Sequence, residues 1–188
     1  MKSDRRALYT KMILKQSFLE IMRDRSINKI TVKEVCEKAE INRATFYAHY
    51  TDVYDMLNTI ENELYDEIQN SFDRGWETKS LEELLTEVCT DIKKNGEVYN
   101  IVLSENGDKS FLNRILNIAY ERCIMAWTSK TYSADISELE KIYHFFSHGS
   151  AAVILSWVQK GMPEPPEKIA KFINEITEKG LTFLESYK

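Results

Sequence analysis

The segment Thr31–Leu57 reads TVKEVCEKAEINRATFYAHYTDVYDML and contains two short helical patterns separated by a tight turn. Thr31 lies three residues before Glu34, so its side chain can cap the first helix while the glutamate bonds back to the Thr31 amide. Asn42 is a favourable N-cap for the second helix and leaves Arg43 in its first turn. A third helix is predicted to follow at once. This arrangement indicates a helix-turn-helix, whose second helix enters the DNA major groove.

The second helix of this motif carries side chains suited to contacts with DNA. Phe46 and Tyr50 lie four residues apart and should face inward, which turns Tyr47 and His49 outward. Arg43 can make a bidentate contact with guanine or can bind phosphate alone. A capped pair of short helices also occurs in helical domains that do not bind DNA, and that alternative stays open at this point. The residues expected to contact DNA are Thr31, Lys33, Asn42, Arg43, Ala44, Thr45, Tyr47 and His49.

The charge of the chain is divided unevenly. Residues 1–50 contain 11 lysines and arginines against 6 acidic residues, whereas residues 51–188 contain 14 against 24. A basic N-terminal region in an otherwise acidic chain favours phosphate binding by that region. Basic residues are more often simply solvated, so the asymmetry is stronger evidence than any single side chain. Further candidates for phosphate contact are Lys2, Arg5, Arg6 and Lys11.

The N-terminal region resembles the DNA-binding domain of the tetracycline-repressor (TetR) family of bacterial transcriptional regulators. The residues at matching positions include Thr31, Val35, Cys36, Ala39, Ile41, Ala44, Thr45, Phe46, Tyr47, His49 and Tyr50. The resemblance implies a cytoplasmic homodimer that binds a palindromic operator on double-stranded DNA. It further implies a repressor that a small-molecule effector releases from the operator.

Three positions depart from the pattern of that family. Glu40 replaces the usual turn glycine, so the turn either avoids a positive φ or accepts strain of about 1 kcal/mol. Asn42 replaces a serine or threonine cap, which is an equivalent choice. Val53 replaces a lysine that often starts the next helix, and this removes one expected phosphate contact.

The remaining chain is predicted to be helical, so the fold class is all-α. We expect a DNA-binding domain in residues 1–52, with its helix-turn-helix at about 31–50, and a helical effector-binding and dimerisation domain in residues 53–188. Ser137 and Glu140 have the spacing of a capping box and predict the start of a long helix. Gly161 should end that helix, and the prolines that follow separate it from the last one.

The last two helices are expected to form the dimer. The first of them is apolar around most of its circumference, so one neighbouring helix cannot cover it. The resemblance implies a four-helix bundle about a two-fold axis, and the alternative is that both helices are buried within their own domain. The expected interface residues are Phe146, Ala152, Ile154, Trp157, Phe172 and Ile176.

Aromatic residues are dense between the N-terminal domain and these helices. The resemblance implies a small-molecule pocket there, whereas an ordinary aromatic core is the alternative reading. The candidate effector residues are Phe72, Trp76, Tyr99, Phe111, Tyr120 and Trp127. His144 and His148 have the spacing of a metal-binding pair, but no further ligand is placed near them by the sequence. We therefore expect neither a metal site nor a cofactor.

Other features of the sequence narrow the classes of function. Three widely spaced cysteines suggest a reducing compartment without disulfide bonds. No signal peptide is recognised at the start of the chain, and the most apolar run, Ala151–Val158, is too short to span a bilayer. No phosphate loop, catalytic triad or metal signature is present in the sequence, so we do not expect an enzyme.

One alternative function retains the fold. Glu40 and Val53 both alter the region that faces DNA in the family, so the protein could instead be an interaction protein. It would then be a structural or cell-division DNA-binding factor, or a coactivator that works through a protein partner.

Overall fold

The structure is a computed structural model that describes residues 2–129 and 135–186. These residues form ten α-helices and no β-strand, which confirms the predicted all-α class. The helices are α1 (Lys2–Met22), α2 (Val32–Ala39), α3 (Arg43–Tyr47), α4 (Val53–Gly75), α5 (Leu81–Lys94), α6 (Gly96–Val102), α7 (Lys109–Leu116), α8 (Tyr120–Ser129), α9 (Ile136–Gln159) and α10 (Pro166–Ser186). Short 3-10 turns lie at Ile27–Lys29 and Asn117–Ala119.

The chain divides into two compact units, and each consists of two segments. The first unit contains residues 1–64 and 97–111, and the second contains residues 65–96 and 112–188. Helix α4 therefore contributes residues to both units. The domain boundary expected between residues 52 and 53 stays a prediction, because compactness divides the chain at other positions.

The core of the first unit is built from apolar residues at helical spacing. Leu14, Phe18 and Met22 repeat every four residues on α1 and are fully buried. Helices α2 and α4 contribute buried residues, among them Val35, Cys36, Met56 and Ile60. Burial of these side chains supplies the main favourable free energy of folding for this unit.

A segment distant in sequence completes this core. Tyr99, Val102 and Phe111 are buried in the first unit, although they follow α5 in the chain. The Tyr99 hydroxyl donates to the carbonyl of Leu64 at 3.3 Å, which satisfies its one strong donor inside the core. The first unit is therefore larger than the N-terminal region from which the motif was recognised.

The second unit is centred on the packing of α5 against α10. Helix α5 starts with a capping box in which Ser80 and Glu83 bond to each other's backbone amides. Val88, Cys89 and Ile92 are buried on α5, and α10 buries Ile169, Ala170 and Ile173. Each helix thus buries an apolar stripe in this contact.

The start of α9 differs from the sequence prediction. The cap is Asp135, whose Oδ1 accepts from the Glu138 amide at 2.8 Å, while the Asp135 amide donates to Glu138 Oε2 at 3.1 Å. The prediction that Ser137 and Glu140 form this box was therefore wrong. Residues 135–140 contain two overlapping boxes, and the helix begins at the earlier one, which places Leu139 in the core.

The predicted end of the same helix is confirmed. Gly161 has a φ of 78°, and its amide donates to the Val158 carbonyl at 2.9 Å. The Met162 amide donates to the Trp157 carbonyl at 2.8 Å. Together the two hydrogen bonds form a C-cap that is common at the ends of helices. Within residues 2–129 and 135–186, no helix is both long and apolar enough to cross a membrane.

The cap of α9 gives a first testable prediction. Asp135→Ala should lower the free energy of unfolding by about 1 kcal/mol, because the Glu138 amide loses its acceptor. Ser137→Ala is the matched control and should change it by less than about 0.5 kcal/mol, since an ordinary helix-surface position is affected. Urea denaturation followed by circular dichroism measures both. A larger loss from Ser137→Ala than from Asp135→Ala would contradict the observed start of α9.

Candidate nucleic-acid interface

The first helix of the motif, α2, begins with the predicted capping box. The Thr31 amide donates to Glu34 Oε2 at 3.0 Å, and the Glu34 amide donates to Thr31 Oγ1 at 3.3 Å. Arg25 also donates to Glu34, at 2.8 Å. The bonds from Arg25 and Thr31 lower the pKa of Glu34 to about 2, so the carboxylate is ionised at neutral pH. The carboxylate of this cap therefore places a negative charge at the start of α2, where it interacts favourably with the positive end of the helix dipole.

Glu40 lies in the turn between α2 and α3, and its backbone shows that the turn does adopt a positive φ. This residue has φ 55° and ψ 35°, which is the left-handed conformation that usually favours glycine. Its amide donates to Glu37 at 3.3 Å, and the amide of Ile41 donates to Cys36 at 3.0 Å. The turn thus keeps the geometry that a glycine would give and accepts the strain of a side chain there.

The cap of α3 is Asn42, as predicted. Its Oδ1 accepts from the Thr45 amide at 2.8 Å and from the Thr45 hydroxyl at 3.0 Å. Both residues were expected to contact DNA, and the structure shows that they also bond to each other. Their mutual bonds hold the first turn of α3 in place, because a short helix depends strongly on its cap.

Helix α3 presents two different faces. Phe46 is fully buried, and Tyr50 just beyond the helix is also buried, whereas Tyr47 is 57% exposed. Arg43 and Ala44 are exposed in the first turn, and His49 is half-buried. The predicted inward direction of Phe46 and Tyr50 and the outward direction of Tyr47 are confirmed, whereas His49 is only partly exposed. The outward face therefore combines a guanidinium, a phenol and a small residue that permits close approach.

Lysines and arginines lie on the neighbouring helices of the same unit. Lys33 is exposed on α2, and its Nζ lies 3.7 Å from a carboxylate oxygen of Glu37. Because such an exposed ion pair is weak, the lysine can readily exchange this carboxylate for another anion. Arg5, Arg6 and Lys11 are exposed on α1. The side chain of Lys2 lies outside the described part of the structure. These cations remain candidates for phosphate contact.

The start of α4 has a feature that the sequence reading missed. Asp52 Oδ1 accepts from the amides of Tyr54 and Asp55 at 2.8 Å, and Asp55 Oδ2 accepts from the Thr51 amide at 2.8 Å. Val53, which replaces the lysine of the family pattern, is buried. The beginning of α4 therefore carries two carboxylates as caps. The spacing of Asp52 and Asp55 was the signal that could have shown this.

Comparison with known proteins identifies the class of protein. Residues 79–179, more than half of the chain, match a TetR C-terminal family model described as "Transcriptional regulator C-terminal region". The chain belongs to the TetR family of transcriptional regulators.

A curated relative supports the assignment to this family. It is the uncharacterised HTH-type transcriptional regulator YxbF of Bacillus subtilis (strain 168), which is 25% identical over 179 residues. The match covers 89% of this TetR-family chain but only 44% of the relative. The chain therefore spans less than half the length of the curated protein that it matches.

Solved structures share the fold. A TetR transcriptional regulator from Streptococcus agalactiae 2603V is 22% identical, with a TM-score of 0.66 and coverage of 94% of this chain and 98% of the other. A transcriptional regulator from Aquifex aeolicus VF5 is 16% identical, with a TM-score of 0.63 and coverage of 90% and 98%. The dihydroxyacetone kinase operon activator DhaS is 17% identical, with a TM-score of 0.58 and coverage of 94% and 98%. At these identities the likeness shows the fold alone.

The candidate effector residues of this TetR-family chain occupy three separate places. Tyr99 and Phe111 are buried in the core of the first unit. In the second unit, Phe72 near the end of α4 lies beside Trp76, the residue directly after α4, and the guanidinium of Arg122 lies 5.9 Å from the Trp76 ring. Tyr120 and Trp127 on α8 both contact Tyr143 on α9.

Two of the six effector candidates therefore belong to the first unit and four to the second. A cleft of about 260 Å³ in the second unit has a different, polar lining, and sequence reasoning missed it. Its lining residues are Glu67, Asn70, Arg74, Asp91, Lys94 and Asn95. Several of them bond to one another: Asn95 donates to Glu67 at 2.9 Å, and Lys94 lies 2.6 Å from Asp91. No periodic pattern in the sequence marks this cleft, because its residues come from the polar faces of α4 and α5 and from Asn95, the residue directly after α5.

The candidate dimer residues also differ in their environments. Ala152 is exposed on α9, and Phe172 and Ile176 are exposed on α10, at 51% and 47%. Phe146 is half-buried against Gly180, where a Cβ would collide with its ring. Ile154 is half-buried as well. The exposed apolar side chains of this group are therefore those of Ala152, Phe172 and Ile176.

Trp157 was misplaced in the predicted interface. It is 3% exposed within a single chain, and its indole N–H donates to the Glu164 carbonyl at 3.1 Å. The fold of its own chain therefore satisfies both the apolar and the polar part of this side chain. Phe145, which is not among the predicted interface residues, is 74% exposed on α9. Helical periodicity alone does not tell an inner face from an outer one when both faces are apolar.

The strained turn gives a second prediction. Glu40→Gly should raise the free energy of unfolding by up to about 1 kcal/mol, because the left-handed cost disappears while glycine adds some entropy to the unfolded chain. Glu37→Gly, with the same charge change in helical backbone on α2, should instead lower it by about 1 kcal/mol. Urea unfolding of both variants measures the difference. Equal destabilisation by the two substitutions would contradict the strain at Glu40.

Proposed function

We propose that this protein is a homodimeric transcriptional regulator that binds a palindromic operator on double-stranded DNA through α3. The observation that carries the proposal is the capped α2–turn–α3 unit, in which burial of Phe46 holds Arg43, Ala44 and Tyr47 outward. Arg43 would read a base edge, and Tyr47 and His49 would bind the phosphate backbone. Thr31, Lys33, Asn42 and Thr45 complete the proposed contact surface.

The apolar residues left uncovered in one chain support the proposed dimer. Phe145 on α9 and Phe172 and Ile176 on α10 are large apolar side chains exposed to solvent. A second copy of the same surface would cover them about a two-fold axis. Two α3 helices would then read successive major grooves about 34–36 Å apart, which is why the operator is proposed to be a palindrome.

Regulation by a small molecule is the further part of the proposal. A ligand bound in the second unit would release the operator only if it bound better to a conformation in which the two α3 helices no longer match the groove spacing. Phe72 on α4, Trp76 just after α4, and Tyr120 and Trp127 on α8 are the half-buried aromatics proposed to contact it. The repressor mechanism is accordingly one of effector-induced release.

A second candidate function is activation through a protein partner. The observation that favours it is the start of α4, where buried Val53 replaces a lysine and Asp52 and Asp55 add negative charge. These changes weaken the attraction of the region to phosphate. One protein of the same fold is itself described as an operon activator. In this case the protein would join a complex at a promoter without reading the operator by itself.

Selection of genomic DNA fragments by the purified protein, sequenced at two salt concentrations, tests the proposal. We expect enrichment of a few promoter-proximal palindromes. Arg43→Ala should relax preference at one position per half-site, because a bidentate contact contributes about 1–3 kcal/mol of discrimination. Lys33→Ala should weaken binding to all sequences and lower the salt slope by about one.

Lys171→Ala on α10 is the matched control for loss of a surface lysine, and it should leave the salt slope unchanged. If Arg43→Ala altered neither affinity nor sequence preference, α3 would not be the recognition helix. If the wild-type protein enriched no motif at either salt concentration, the second candidate function would replace the first.

The dimer gives a separate prediction. Phe145→Glu combined with Phe172→Glu should convert the protein to a monomer in analytical ultracentrifugation, because two charges would be buried without partners in each half of the interface. Met125→Glu on α8 is the control: Met125 is as exposed as Phe145 but lies outside the proposed surface. A dimer that survives the double substitution would place the interface elsewhere.

A further inference from the structure

The end of α1 is capped by a residue that lies far away in the sequence. The last turn of a helix leaves carbonyl groups without donors. Here the carbonyls of Met22 and Arg23 both accept hydrogen bonds from Nδ2 of Asn106, at 3.1 Å each. The carbonyl of Asn106 in turn accepts from the amide of Ile27 at 3.1 Å. We call these three hydrogen bonds the Asn106 clasp.

The loop that carries Asn106 is itself well held. The Asn106 amide donates to Ser104 Oγ at 3.1 Å, and the Gly107 amide donates to the Ser104 carbonyl at 3.2 Å. A Cβ at Gly107 would collide with the carbonyl of Val102, so only glycine fits the turn. An ion pair between Arg23 and Glu97 joins the same two segments. Hydrogen bonds within residues 104–107 and the ion pair between Arg23 and Glu97 therefore hold in place the two segments that the clasp joins.

A chain of contacts leads from the clasp to the helix-turn-helix. The clasp fixes residues 22–27, and Arg25 within this turn donates to Glu34 at 2.8 Å. Glu34 belongs to the capping box that starts α2. Ile27 and Ile30 anchor the same turn in the core, and Lys38 at the end of α2 pairs with Glu20 of α1 at 2.9 Å. Both ends of α2 are thus tied to α1 and to the turn that follows it.

We propose that Asn106 is a positioning residue for DNA binding, although it lies far outside the helix-turn-helix. By capping α1 and fixing the turn after it, Asn106 sets the orientation of α2 and hence the placement of α3. An asparagine suits this role because its amide nitrogen has two N–H donors for two carbonyls, whereas an aspartate would face them with oxygen. The inference rests on the proposed function, because its consequence is affinity for an operator.

Operator affinity of the full-length chain tests this role. The probe is the duplex enriched by the wild-type protein in the fragment selection, and binding is measured well below the melting temperature. Asn106→Ala and Asn106→Asp should each raise the Kd at least about fivefold, because the hydrogen bonds to two helix-end carbonyls are lost. Asn100→Asp, at an exposed position on α6, introduces the same charge and should leave the Kd unchanged. Amide hydrogen exchange at Ile27 should quicken in the Asn106 variants only.

The outcomes separate a positioning role from a merely structural one. A lower melting temperature with an unchanged Kd would overturn the inference, and so would an equal loss of affinity in Asn100→Asp. If the Asn106 variants do not fold, the inference is tested by amide hydrogen exchange of the wild-type protein with and without the duplex. Protection should then increase in residues 23–30 and 103–108 together, and an increase in 23–30 alone would overturn the inference. A wild-type protein that binds no duplex would instead refute the proposed function itself.

Discussion

The burial of Phe46 is the constraint on which the candidate interface depends. Helix α3 has only five residues, and a helix so short has little stability of its own in water. The Phe46 ring is inserted in the core of the first unit, where it meets Tyr50 with a ring-centre distance of 5.7 Å. Once that ring is fixed, the direction of every other α3 side chain follows from the helical repeat. Arg43 and Tyr47 are exposed for this reason.

Polar N-cap residues stabilise the short helices of this region, which have little stability of their own. Thr31 with Glu34 begins α2, Asn42 begins α3, and Asp52 begins α4, so each helix start in this region has a side-chain acceptor. Each cap contributes about 1 kcal/mol, which is a large fraction of the stability of a small domain. The strained backbone at Glu40 is tolerated within this framework, because two backbone hydrogen bonds close the turn around it.

The first unit extends beyond the motif that identifies it. Residues 97–111 supply buried Tyr99, Val102 and Phe111 and the capping group of Asn106. The DNA-binding region and the buried residues of 97–111 therefore share a single core, and residues in contact across it are expected to be energetically coupled. At the start of α4, Val53 stands where the family pattern has a lysine, and the carboxylates of Asp52 and Asp55 beside it add negative charge.

Local sequence determined the parts of this protein that depend on local interactions. The caps at Thr31 and Asn42, the inward side of Phe46 and the end of α9 at Gly161 each follow from residues a few positions apart, and each prediction was confirmed. The all-α class followed from helical periodicity and the scarcity of strand patterns. At Glu40, the sequence posed a choice between two backbone conformations but could not decide it.

Only the tertiary structure decided which apolar faces are inner and which are outer. Trp157 and Phe145 both lie on the apolar helix α9, yet the first is buried and the second is exposed, because neighbouring helices cover only one side. The start of α9 at Asp135 was ambiguous for a similar reason, since two overlapping boxes are equally good locally. The Asn106 clasp joins residues 84 positions apart. Such a contact depends on how the chain folds back on itself, and no local pattern specifies it.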